Sequence, residues 1–253
     1  MLGLIKNEHI KLFNKKLVWI SFLLMPFLIM MVSLFFTRLI SSAGGDALDF
    51  MAFVSKLLIV IGILIIGIAG TILSNEFQEG TVKFLLIRPV SRSMVLLAKW
   101  LTVQLYAIYL LLSTFVFSLL VGGVLFGFHN IGESTLIIQK IGLSYGISFL
   151  EIILISTFTL MVSAIFKNGA FSIGVGMAAF FGGKFLTEVF GLLEFALGRI
   201  FLFANTQLEQ YFFGNEILFP GMSLFYSIGI LIMHFIFFYG TAWFFFAKRD
   251  ITV

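Results

Sequence analysis

The chain has 253 residues, 60% of them hydrophobic and only 11% charged, with a mean hydropathy of +1.14 and a net charge of +4. A soluble domain carries about 25% charged residues, so a large soluble domain is excluded and a polytopic membrane protein follows. Cys is absent, which excludes disulfides, thiolate chemistry and Cys-based metal sites; the basic residues fall where loop topology wants them, so the charge is no signal for nucleic acid.

The chain opens on LGLIKNEHIKLFNKK. On a helix, Leu2, Ile5, Leu12 and Phe13 fall largely on one side and Lys6, Lys11 and Lys15 on the other. Residues 1–16 are therefore expected to form a helix lying in the membrane interface; a short basic flank that only sets orientation is the alternative. The apolar run that follows is about 20 residues long, beyond the 7–15 of a signal-peptide core, so it reads as a retained span. A span needs about 20 apolar residues, and six are expected, near 17–38, 57–73, 101–126, 141–166, 170–188 and 223–246, with Pro26 as a kink in the first.

Orientation follows from the basic residues, which short cytoplasmic loops collect. Eleven of the sixteen (Lys6, Lys11, Lys15, Lys16, Lys83, Arg88, Arg92, Lys99, Lys167, Lys248 and Arg249) fall on one side. Arg38, Lys56, Lys140, Lys184 and Arg199 fall on the other, with Asp46, Asp49, Glu133, Glu188, Glu194, Glu209 and Glu216. Both termini are expected in the cytoplasm. Segment 189–222 is too polar for a comfortable span. It is expected to form short helices that dip into the outer interface and return. A seventh span is the competing reading, which would strand Lys248 and Arg249 outside.

The most informative stretch is the charged island 74–99, SNEFQEGTVKFLLIRPVSRSMVLLAK, between spans two and three. Its lysines and arginines would each cost about 2.5–3.5 kcal/mol at the centre of a span, so it must lie at a membrane face. Phe77, Thr81, Phe84 and Leu85 can form one helical stripe suited to a partner's groove, with Glu76, Glu79, Lys83 and Arg88 as rim charges. Pro89 stops that helix, and Ser91 is placed to cap the next.

With these residues in hand, the whole chain resembles the permease subunits of the ABC-2 family of ATP-binding-cassette exporters. The resemblance rests on the ordered set Glu76, Gly80, Thr81, Leu85, Leu86, Pro89, Ser91, Arg92 and Lys99 after span two. It rests also on the ending Arg249, Asp250 and Ile251, and on the short helices between spans five and six. It implies one permease domain over 1–253, with six spans and both ends inside. It implies a coupling helix within 74–99 that docks on a separate ATPase, so the interface residues would be Glu76, Phe77, Glu79, Gly80, Thr81, Phe84, Leu85, Pro89, Ser91 and Arg92. No G-x-x-x-x-G-K-[ST] motif is present, so the chain itself is not expected to be an enzyme or to hold a cofactor. ATP and Mg would sit on two ATPase partners, and a second permease copy or a homologous chain would complete the pathway in a bacterial plasma membrane.

Four polar residues fall inside spans. Glu151 in span four, and Lys184 with Glu188 in span five, are close enough in depth for a Lys stem to bridge. Intramembrane ionisable groups point to function by default; a structural ion pair is the equal alternative. His234 in span six reads as a packing residue, without a second His to suggest a metal. Ala170, Gly174, Ala178 and Gly182 recur at i,i+4 and are expected to form a helix-packing face. The 34 Phe residues lean the cargo toward a hydrophobic or amphipathic molecule such as an antimicrobial or cytolytic peptide. Drugs, ions, lipid-linked glycans and an ion-coupled secondary transporter stay open. An intramembrane enzyme lacks a clustered catalytic set.

Overall fold

Apolar runs of this length can hide their backbone amides from lipid only by bonding them internally, which leaves helices as the solution. The computed structural model describes residues 1–40, 45–78, 91–128 and 135–248, and is all-α among them. A short helix α1 (Leu2–Phe13) precedes α2 (Lys16–Ile40). Helix α3 (Ala47–Val54) runs through a 3-10 turn into α4 (Leu58–Gln78). Then come α5 (Arg92–Leu125), α6 (Thr135–Phe166) and α7 (Gly169–Leu192). Short turns lead through α8 (Leu202–Thr206) to α9 (Leu224–Lys248). Six of these stretches are long and apolar enough to cross a membrane.

Each expected span overlaps one of these helices, and most of the helices are longer than the apolar run expected. Helix α5 has 34 residues, about 51 Å at 1.5 Å per residue, against a hydrocarbon core of about 30 Å. Its first turns, Arg92 to Lys99, extend the helix past the apolar run that hydropathy detects. Helix α3 lies between the expected first and second spans, where no element was expected. Asp46 starts it by accepting from Leu48 N and Asp49 N, at 2.9 and 3.1 Å, while the Asp49 carboxylate accepts from Asp46 N. This closes a capping box. Ser91 caps α5 as expected, accepting from Met94 N at 3.3 Å, and Asn168 does the same for α7. Lys167, at φ 55°, turns the chain between α6 and α7.

Helices α4 and α6 form the centre. Their most apolar stretches are 61% buried, against 22–28% in the other four spans. Ile61, Ile65, Ile66, Ala69, Leu73, Ile155 and Leu160 anchor the main core there. Polar side chains tie the helices across it: Ser163 donates to Gly70 O at 3.0 Å, Gln104 to Ser156 at 2.9 Å and Trp100 to Thr157 at 2.9 Å.

The packing face of α7 differs from the expected one. Its buried residues are Gly169, Ser172, Gly176, Phe180, Gly183 and Thr187. A Cβ on Gly176 would meet Thr159 at 2.6 Å and Ile66 at 2.9 Å, and one on Gly183 would meet Phe203 at 2.2 Å. Ala170, Gly174 and Ala178 are instead exposed and Gly182 is half-buried. The reason is geometric. Steps of four on a helix of 3.6 residues per turn drift about 40° each, so a strict i,i+4 row slides off one face. The true face mixes steps of three and four.

Between α7 and α9 there is no seventh span among the described residues but a string of short turns, Ala196–Ile200, Leu202–Thr206 and Leu208–Tyr211. These lie at the end of the bundle far from α1. Irregular backbone survives at such a place only if buried in protein with its polar groups satisfied. Asn205 donates to Arg199 O and Phe201 O, both at 2.8 Å, and Gln210 donates to Ala204 O and accepts from Leu218 N. Phe203 fills the space over Gly183, and Phe219 that over Gly198.

Candidate functional site

The α1 end of the bundle holds a closed ring of four charges. Lys99, in the second turn of α5, is only 1% exposed. Its ammonium donates to Glu8 Oε2 at 2.7 Å, Glu76 Oε1 at 2.8 Å and Ile72 O at 3.3 Å. All three of its donors are therefore satisfied. Lys11 completes the ring, donating to Glu76 Oε1 at 2.9 Å and Glu8 Oε1 at 3.2 Å. The ring joins three elements: Glu8 and Lys11 from α1, Glu76 from the last turn of α4, and Lys99 from α5. Two carboxylates and two ammoniums cancel, which lets the group sit where an unpaired charge could not. Burial alone would lower the Lys11 ammonium, but its hydrogen bond to Glu76 and the charges of Glu8 and Glu76 outweigh it and hold it above its usual value.

This arrangement corrects two expectations. Glu76, expected as a rim charge of a docking surface, is buried and turned inward onto Lys99 and Lys11. Phe77, expected on a partner-facing stripe, packs against Phe246 at 6.2 Å, with the Lys167 ammonium 5.0 Å above its ring. Both belong to the α4 helix, which holds its register through Gln78 and carries them into the bundle. Arg92 donates to Ala247 O at 3.3 Å and so joins the start of α5 to the end of α9. Glu79, Gly80, Thr81, Phe84, Leu85 and Pro89 lie outside the described residues.

Helix α1 also turns a different face inward than expected. Leu12 is buried and Phe13 packs on Phe22 and Tyr106, but Leu2 is 84% exposed and the buried partner of Leu12 is Glu8. Glu8 escaped the sequence reading, and Lys11 was placed on the outer polar face. The available signal was that Glu8 is the single acid before Asp46, set among four lysines.

Deeper in the bundle, Glu151 of α6 and Lys184 of α7 meet at 2.8 Å. Lys184 also lies 4.5 Å over the Phe180 ring. Glu188, one turn on, is exposed. His234 of α9 bonds through Nδ1 to Ile230 O at 2.8 Å and stacks edge-on against Phe238. Among the described residues no group of three His, Asp or Glu could hold a metal ion.

Six helices of membrane-crossing length and a buried charge ring at one end define an all-α integral membrane protein. The chain belongs to the family described as "Protein of unknown function (DUF2705)", which matches residues 12–252. It is 39% identical over 246 residues to "Uncharacterized membrane protein YdbK" of Bacillus subtilis (strain 168), covering 96% of this chain and 100% of that protein. It is 31% identical over 224 residues to "Uncharacterized protein YhcI" of the same organism, covering 83% of this chain and 71% of that one.

Proposed function

We propose that this chain is the membrane-spanning permease subunit of an ATP-driven exporter of the ABC-2 type. Two permease chains would enclose the pathway, and two separate ATPase subunits would bind ATP and Mg and dock on the segment after α4. Both termini would face the cytoplasm of a bacterial cell, with the short turns of 196–211 at the outer face. The Phe-rich spans favour a hydrophobic or amphipathic cargo, with an antimicrobial or cytolytic peptide as the first candidate.

The observation that carries this reading is where the charge ring sits. Residues 79–90 hold most of the motif that resembles a coupling helix. In the sequence they stand between Glu76 and Lys99, and those two side chains are bonded to each other and to α1. A push on that segment would reach α1, α4 and α5 together, which is what coupling an ATPase stroke to the spans requires. Each ammonium of the ring has two carboxylate partners, so the three helices share one bonded set.

The test is co-purification in mild detergent. A P-loop ATPase should accompany the chain and be lost when residues 79–90 become a Gly/Ser linker, a change that leaves the ring intact. A stable chain with no ATPase partner would overturn the assignment.

A further inference from the structure

A cavity of about 570 Å³ lies between α6, α7, the short turns and α9. Phe158 of α6, Ala178 and Gly182 of α7, Phe201 and Phe237 are among the residues that line it, and His234 is the one polar side chain in its wall among the described residues. The cavity exists because α7 places small residues there: a Cβ on Gly182 would meet nothing within 4 Å. Ala178 and Phe237 are exposed, so the cavity opens sideways. His234 lies ten residues into α9, about 15 Å along the helix and therefore near the middle of a hydrocarbon core about 30 Å thick. Water does not reach a sideways opening at that depth. The natural occupant comes from the lipid phase.

The imidazole adds a selection rule. Its Nδ1 faces the Ile230 carbonyl, which only accepts, so Nδ1 carries the proton. In the neutral ring Nε2 is then an acceptor without a hydrogen of its own. Among the described residues the wall contains no charged side chain, so a carboxylate or phosphate would be buried uncompensated there. We propose that this cavity binds an amphipathic, lipid-like molecule with an apolar body and one hydrogen-bond donor at mid-depth, a hydroxyl or amide N–H, held by Nε2 of His234. The proposal concerns occupancy only and is separate from any ATPase partner.

The test uses the purified full-length chain in lipid nanodiscs without ATP. The probes are a diazirine-tagged fatty-acid methyl ester with a hydroxyl near mid-chain and the same ester without the hydroxyl. Labelled peptides are mapped by mass spectrometry. The hydroxylated probe should label peptides carrying Phe158, Ala178 or Phe237, about fivefold more than the plain one, as expected for one hydrogen bond. His234→Phe should erase that difference, and His234→Gln, which keeps an acceptor, should retain it. Gly182→Leu should fill the space without a clash and abolish labelling, with Ala178→Phe as the second filling variant. Equal labelling by the two probes would overturn the proposal. So would labelling unchanged in both filled variants, or no labelling because a second copy closes the opening.

Discussion

Replacing Lys99 by Met tests the charge ring most directly. The variant keeps the length and apolar stem of the side chain and removes only the ammonium. It deletes three hydrogen bonds, a long one to Ile72 O at 3.3 Å and two to the carboxylates of Glu8 at 2.7 Å and Glu76 at 2.8 Å, the latter each worth about 1.5–3 kcal/mol. It leaves two buried carboxylates with Lys11 as their remaining ring cation. Breaking a buried pair by removing one partner costs about 3–5 kcal/mol, and the two routes agree, so a loss of about 3–5 kcal/mol is expected. Lys11→Met is the control. Its side chain is 52% exposed, so solvent screens its two bonds and the loss should stay below about 1 kcal/mol. The Glu76→Lys/Lys99→Glu exchange keeps the ring neutral and should recover much of the loss that Glu76→Lys alone causes. The assay is unfolding of the purified protein in mixed micelles against increasing SDS, followed by Trp fluorescence. Equal losses for Lys99→Met and Lys11→Met, or a Lys99→Met loss under about 1 kcal/mol, would refute the view that the buried ammonium holds α1, α4 and α5 together.

Three further outcomes are expected. Gly176→Leu should destabilise by about 1–3 kcal/mol through overpacking against Thr159 and Ile66, whereas Gly174→Leu, with open space around it, should stay within about 0.5 kcal/mol; thermal unfolding in detergent separates them. Glu151→Gln should weaken stability modestly, because Lys184 is a third exposed and can reach toward water. Adding Lys184→Met should restore stability, and transport that stays lost in this restored double variant would make the pair part of the pathway. Ser91→Ala should cost about 1 kcal/mol at the start of α5, read as faster hydrogen exchange of the amides of residues 92–95.

Much of the fold was legible before any coordinates. Continuous apolar runs force helices in lipid whatever the side chains are, so the six spans could be read from hydropathy alone. Capping is equally local, and Ser91 before the helix that follows Pro89 shows it. What escaped were features that depend on which helix lies beside which. Helix α3 was hidden because its capping acids, Asp46 and Asp49, look like loop residues to a hydropathy scale. The burial of Lys99 in the second turn of α5 was hidden, because only a partner can make a buried Lys acceptable.

The site divides in the same way. The charge pattern alone leads to the expectation of a membrane-face element after α4, since no isolated lysine or arginine there could be buried in lipid. Only the tertiary structure showed that Glu76 points inward. Its partners Glu8 and Lys99 are 68 residues before it and 23 residues after it in the chain, and no local rule links such positions. The packing face of α7 was decided likewise. Small residues recur on two of its faces, and the neighbours α4 and α6, through Ile66 and Thr159 against Gly176, select the one that is buried. Composition determines that a segment enters the membrane and forms a helix, because both follow from solvation of its own backbone and side chains. Which charge meets which, and which face is buried, follows from contacts between distant segments, and those exist only in the folded chain.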